Sequence, residues 1–135
     1  MTDLELMELA RSARQQSYSP YSGFAVGAAL LDQNGKVWCG CNVENAAFSP
    51  TNCAERTAFF KAISEGVRSF ERIAISGGPA NTDPQAETAP CGVCRQVMAE
   101  FCSPDFVILL EDGQGGVVRH TLAELLPFGF GPHSL

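Results

Sequence analysis

The stretch Ala25-Val26-Gly27-Ala28-Ala29-Leu30-Leu31-Asp32-Gln33-Asn34-Gly35-Lys36-Val37-Trp38-Cys39-Gly40-Cys41-Asn42-Val43 decides the architecture. Two apolar, β-prone runs, 25–31 and 36–43, flank Asp32-Gln33-Asn34-Gly35, and Asn-Gly between such runs is a strong hairpin signal. The pattern predicts two antiparallel strands.

Working outward, residues 2–16 read as a helix: Thr2 can cap it, Glu5 follows three positions on, and Leu6, Leu9, Ala10 and Ala13 form one apolar stripe. Tyr18-Ser19-Pro20-Tyr21 ends it. Beyond the hairpin, residues 52–65 predict a helix with Ala54, Ala58, Phe59 and Ile63 spaced for burial and Gly66 placed as a stop. Residues 72–76 predict a short buried strand, and 77–89, rich in Gly, Pro, Asn and Asp, the longest loop. A helix over 91–101 and a strand over 106–110 follow. Asp112-Gly113-Gln114-Gly115-Gly116 then turns into Val117-Val118-Arg119-His120, a connection so short that it permits only an antiparallel neighbour. A short helix over 122–126 precedes the aromatic tail Pro127-Phe128-Gly129-Phe130-Gly131-Pro132, which is not expected to be helical. The order α-β-β-α-β-α-β-β-α implies an α/β fold: a mixed five-stranded sheet with helices packed on its faces.

A chain of 135 residues with 45% hydrophobic content suits one domain, residues 1–135, with one substantial core. The net charge of -6 and the scattered Lys and Arg exclude the electrostatic footprint of a nucleic-acid binder and fit a small, weakly charged substrate. Met1-Thr2-Asp3-Leu4-Glu5 is acidic and amphipathic rather than basic and then apolar, so no signal peptide is expected, and no apolar run is long enough to span a bilayer. The six cysteines are therefore expected to be reduced, in a cytoplasmic protein with no membrane partner.

Chemistry enters with Cys53-Ala54-Glu55 and Pro90-Cys91-Gly92-Val93-Cys94. Three thiols leave a tetrahedral zinc one ligand short, and that open position is where a water binds and ionises near neutral pH. Glu55 is the group that could move the water's protons. In a helix interior, residues two apart point to different sides. At a helix N-terminus first-turn side chains converge over the open end, so Cys53 and Glu55 on one helix and Cys91 and Cys94 on another are expected to face one ion. The free N–H groups and positive dipole ends there favour thiolate over thiol. Three thiolates on a dication sum to -1, and Arg56 is placed to relieve that charge by donating to a ligand sulfur. Cys39, Cys41 and Cys102 read as buried structural thiols, and His120 and His133 have no ligand spacing. Two other readings stay open: a thiol-disulfide protein using Cys91 and Cys94, which leaves Cys53 and Glu55 unexplained, and a non-catalytic zinc-stabilised interaction module, which leaves Glu55 and the missing fourth ligand unexplained.

The chain resembles the small homotetrameric, zinc-dependent cytidine deaminases over nearly its whole length. The resemblance is carried by Tyr21-Ser22-Gly23-Phe24-Ala25-Val26-Gly27-Ala28-Ala29-Leu30, Gly40-Cys41-Asn42-Val43-Glu44-Asn45-Ala46, Cys53-Ala54-Glu55-Arg56-Thr57-Ala58, Pro90-Cys91-Gly92-Val93-Cys94-Arg95-Gln96-Val97 and Glu124-Leu125-Leu126-Pro127. It implies a three-layer α/β/α fold, one zinc per chain on Cys53, Cys91 and Cys94, and Glu55 as proton shuttle. It further implies that Asn42 and Glu44 hold the ribose hydroxyls, that Phe24 packs on the pyrimidine, and that the Ala54 N–H receives the ring carbonyl. The implied reaction is hydrolytic deamination of cytidine and 2'-deoxycytidine in pyrimidine salvage, by a homotetramer in which Phe130 reaches a neighbouring subunit's pocket. A related enzyme that deaminates a nucleoside antibiotic shares the zinc motifs, but the Asn42-Val43-Glu44 segment and the Phe24 region favour cytidine. Val93 departs from the usual Ala and Phe48 from the common Tyr; the second removes a hydroxyl available for bonding between subunits.

Overall fold

A capping box starts the chain: the Glu5 amide donates to the Thr2 hydroxyl at 3.1 Å and the Thr2 amide to the Glu5 carboxylate at 2.9 Å, opening α1 (Asp3–Arg14). The computed structural model describes residues 1–135. After α1 come β1 (Phe24–Asp32), β2 (Val37–Cys41), α2 (Ala54–Ser64), β3 (Phe70–Pro79), α3 (Gly92–Phe101), β4 (Val107–Glu111), β5 (Val117–Thr121), α4 (Leu122–Leu125) and one 3-10 turn, Pro132–Ser134. The strands form the expected mixed five-stranded sheet in the order β2-β1-β3-β4-β5. Only β3 and β4 run parallel, joined across α3.

Period-two alternation sends neighbouring residues of β1 to opposite faces. Ala29 and Leu31 join Leu6, Met7 and Ala10 of α1 on one face. Ala28 and Leu30 join Ala58, Phe59 and Ala62 of α2 and Met98 of α3 on the other. With both faces covered, the central strands read as continuous apolar runs rather than alternating ones. Phe59 packs edge-on against Phe70 with ring centroids 5.0 Å apart. No helix is long and apolar enough to cross a membrane.

The hairpin turn is tighter in its chemistry than Asn-Gly alone suggests. The Gly35 amide donates to the Asp32 carbonyl at 3.2 Å, and within the turn only Gly35, at φ 87, has positive φ. Asn34 therefore keeps an ordinary backbone, as in a type I turn closed by a left-handed glycine. The buried Asp32 carboxylate accepts from the Asn34 and Lys36 amides and from Trp38 Nε1. Gly66 stops α2 as expected: at φ 93 it donates to Ile63, while Val67 donates to Ala62, a Schellman pair.

Three expectations change. β3 runs ten residues to Pro79 instead of ending at Ser76, because Phe24, Ala25 and Val26 of β1 pair with Pro79, Gly78 and Gly77. Pairing here overrides the weak strand preference of glycine and proline. β2 ends at Cys41 rather than Val43, since Asn42 turns its amide onto the backbone of β1. The tail holds one 3-10 turn where no helix was expected.

Gly40 on β2 lets α2 sit directly on the sheet: a Cβ there would lie 2.6 Å from both the Ala54 carbonyl and the Ala58 nitrogen. Gly40→Ala must push the N-terminal turn of α2 away and should destabilise the fold by about 1–3 kcal/mol. Urea denaturation measures this, with an unchanged midpoint as the contrary result.

Candidate metal and catalytic site

Two helix N-termini meet at one point. Cys53 is the N-cap of α2 and Cys91 the N-cap of α3, both with extended backbone, and neither side chain caps its own helix. Their sulfurs are thereby free to face each other. Cys53 Sγ lies 3.8 Å from Cys91 Sγ, Cys91 Sγ lies 3.6 Å from Cys94 Sγ, and all three fall within 4.8 Å of one another. A tetrahedral zinc with bonds of about 2.3 Å spaces its sulfur ligands by about 3.8 Å. The spacing and the all-thiol chemistry fit zinc, with three protein ligands and a fourth position left open. The cysteines are free thiols, Cys91 exposed and Cys94 buried.

The charge distribution is prepared for a cation. Hydrogen bonding from Cys94, and then from Arg56, holds the Cys53 thiol down at about 5, while Cys94, as donor to Cys53 and itself buried, is pushed upward. Arg56 Nη2 lies 3.3 Å from Cys53 Sγ, and against its own burial the guanidinium is held in the charged form by Cys53 and Cys94. Its Nε is buried without a hydrogen-bond partner, so the side chain is half-buried and directed at the sulfurs rather than spread on the surface.

Glu55 stands one residue into α2 beyond Ala54 and is only 4% exposed. Burial pushes its carboxyl up to about 7, opposed by hydrogen bonding to its own amide. A carboxyl buried near neutrality can both accept and return a proton.

Beside the sulfurs lies a cavity of about 330 Å³ whose walls include Phe24, Asn42, Glu44, Cys53, Ala54, Glu55, Thr88 and Cys91. The structure therefore brings together residues drawn from four separate stretches of sequence. Asn42 and Glu44 are less free than two polar residues at a strand end would be. Asn42 Oδ1 accepts from the Val26 amide at 2.9 Å and from the Ser17 hydroxyl, and Nδ2 donates to the Phe24 carbonyl at 2.8 Å. One amide N–H is left for a ligand. Glu44 accepts from the Tyr21 amide at 3.0 Å, the Ser22 amide at 3.1 Å and the Ser22 hydroxyl, and these Ser22 bonds above all keep it below the usual carboxylate range.

Phe130 is not part of this cavity. It lines a separate one of about 500 Å³ with Cys102, Leu122 and His133, and its carbonyl accepts from Gln96. His120 lies 2.9 Å from the Glu87 carboxylate, away from the sulfurs. Val93 is exposed and Phe48 is 87% exposed. Sequence reasoning gave no individual role to Ser17, Ser22 or Thr88. Ser22 occurs in the Tyr21-Ser22-Gly23 run, but its tie to Glu44 spans 22 residues and has no local signal.

The family model for the cytidine and deoxycytidylate deaminase zinc-binding region matches residues 1–110. A cytidine deaminase of Sporosarcina psychrophila is 48% identical over 131 residues, 97% of this chain and 93% of the relative. A blasticidin-S deaminase of Bacillus cereus is 30% identical over 131 residues, 95% and 91% of the two chains. Among solved structures, a cytidine deaminase from Burkholderia pseudomallei superposes with a TM-score of 0.88 at 46% identity, covering 96% of this chain and all of that one. One from Mycobacterium tuberculosis gives 0.79 at 36% identity, covering 97% and 99%.

Purified protein should carry one zinc per chain, and Cys94→Ser should lose it, because a hydroxyl replaces the buried third thiol. Elemental analysis by mass spectrometry decides; full zinc occupancy in the variant is the opposing result.

Proposed function

The chain belongs to the cytidine and deoxycytidylate deaminase family, and from that premise we propose that it hydrolyses cytidine and 2'-deoxycytidine to uridine and 2'-deoxyuridine with release of ammonia. The observation that carries this reading is the buried Glu55 carboxyl, raised to about 7, beside three sulfurs at zinc-ligand spacing. Cys53, Cys91 and Cys94 would hold the zinc, which would supply a Lewis acid able to make water a nucleophile near neutral pH. Glu55 takes the proton that water gives up and delivers it to N3 of the pyrimidine as C4 is attacked, then takes the proton of the new C4 hydroxyl and passes it to the departing amine, leaving a carbonyl at C4. The Ala54 N–H, unpaired as the first of α2, receives the ring carbonyl. Phe24 packs against the base. Asn42 donates its remaining N–H to a ribose hydroxyl, and Glu44 accepts from one. Arg56, donating to Cys53 Sγ, draws negative charge from the ligand set.

A thiol-disulfide reaction of Cys91 and Cys94 uses neither Cys53 nor Glu55, and a purely structural zinc module has no use for a raised carboxyl. The reading extends to one catalytic domain spanning residues 1–135, in the cytoplasm, assembled as a homotetramer. Support for assembly comes from the tail: Phe128 and Phe130 are exposed aromatics that one chain does not bury. In the tetramer Phe130 covers a neighbour's pocket and shields the bound nucleoside from water.

Ammonia release from cytidine by zinc-loaded protein tests the activity directly. Glu55→Gln should keep zinc and fold while turnover falls by at least ~10²–10⁴-fold, the usual contribution of one general acid-base group. Near-normal turnover would remove Glu55 from the mechanism. Truncation before Phe128 should leave zinc content unchanged, yet lower kcat/KM for cytidine and disperse the tetramer in light scattering. A truncated chain with unaltered kcat/KM contradicts the shared pocket.

A further inference from the structure

Arg14, in the last turn of α1, makes no ion pair, unlike Arg11 and Arg72, which meet Glu111 and Asp3. All three of its side-chain hydrogen bonds go to backbone carbonyls. Nε donates to Ala25 at 2.9 Å, and Nη2 donates to Pro79 at 2.6 Å and to Thr82 at 2.9 Å. These three carbonyls adjoin two stretches of chain that line the cavity beside the sulfurs. Ala25 lies between Phe24 and Val26, which both line it. Pro79 and Thr82 open the segment 80–90, which supplies Thr88 and Ala89 to the lining and runs into Cys91.

The surrounding glycines show how closely this segment is seated. A Cβ on Gly77 would lie 2.7 Å from the Thr88 side chain, and one on Gly113 would lie 2.1 Å from the Gln85 carbonyl. A Cβ on Gly78 would meet Arg14 Nη2 and Pro84 Cα, each at 3.3 Å. Gly27 admits the α1 backbone itself, with Arg14 N only 2.4 Å from where its Cβ would be. Contact fixes the middle and end of the segment; pairing of Phe24 with Pro79 sets where it leaves β3, and the guanidinium ties its first turn, at Thr82, to Ala25 of β1.

We propose that Arg14 is a positioning residue for the nucleoside pocket, setting the separation between the Phe24–Val26 wall and the Thr88–Ala89 wall without touching substrate. The proposal rests on the deaminase reading for its kinetic consequence, though not for its structural one. A charge-assisted bond to a carbonyl is stronger than a neutral one, and planar bidentate geometry is what lysine lacks.

The test compares zinc-loaded wild type with Arg14→Met and Arg14→Lys. In Arg14→Met, KM for cytidine should rise about tenfold, the equivalent of losing one such bond's worth of binding, while kcat stays within about threefold and zinc content is unchanged. Arg14→Lys should recover part of the KM, since an ammonium reaches some of the carbonyls but not all. Hydrogen exchange followed by mass spectrometry should accelerate over 80–90 while α2 and β4 keep wild-type protection. If Arg14→Met does not fold, Arg14→Lys carries the same comparison. Unchanged KM, or exchange that rises evenly across the chain, overturns the proposal. The exchange measurement needs no turnover: wild type inactive on cytidine would refute the deaminase reading, and protection over 80–90 would still decide whether Arg14 holds the segment.

Discussion

Two helix N-termini pointed at one place repel each other, since each carries roughly half a positive charge from its aligned peptide dipoles. The meeting of α2 and α3 is therefore the constraint on which the structure turns. Cys53 and Cys91 occupy the two N-caps, and their sulfurs lie 3.8 Å apart with Cys94 alongside. Anionic sulfur between the helix ends converts repulsion into attraction, and a cation joining the sulfurs completes it. This explains why neither cysteine spends its side chain on capping. It also explains why Gly40 must be small: the α2 end can reach the junction only by lying directly on β2.

The sugar side of the cavity obeys a different logic. The side chains of Asn42 and Glu44 make six hydrogen bonds, all within the chain, to Ser17, Tyr21, Ser22, Phe24 and Val26. Their orientation is fixed before any ligand arrives, so little rotamer entropy remains to be lost on binding. The same bonds limit what they can recognise. A ligand there must accept from one amide N–H and donate to one carboxylate lone pair, which adjacent hydroxyls on a sugar ring do. Because Asn42 also holds the backbone of Phe24 and Val26, the sugar contact and the wall that faces the base move as one unit, and misplacing either misplaces the other.

What could be read from the sequence divides along the same line. The capping box at Thr2 and Glu5, the Asp32–Gly35 turn, the Gly66 stop and the paired N-terminal cysteines are local signals, each encoded within a few residues, and each element they announce is present. The mixed sheet follows from element order and connection length. The last three residues of β3 were illegible because Gly77-Gly78-Pro79 looks like a loop until Phe24 to Val26 are known to pair with it. The anchoring of Asn42 has no local signal, because its side-chain partners are 16, 18 and 25 residues away. Arg14 gave no signal at all: its partners are backbone carbonyls, which every residue has.

The tail carries the remaining tension. Phe128 has φ 55, a conformation that costs an L-residue roughly 1–2 kcal/mol, and its ring is fully exposed, forgoing about 1.5–3 kcal/mol of burial. Gly129 beside it is fixed by contact, since a Cβ there would lie 2.8 Å from the Leu126 side chain, and Gln96 holds the Phe130 carbonyl. The segment is thus anchored on both sides of a strained, unburied aromatic. Such strain, with no gain inside the chain to offset it, is what a residue kept for a role outside its own chain would carry. That is the physical support for the proposed assembly. It also separates the two tail phenylalanines: Phe130 is partly held by its own chain through Gln96, whereas the Phe128 ring is left fully exposed.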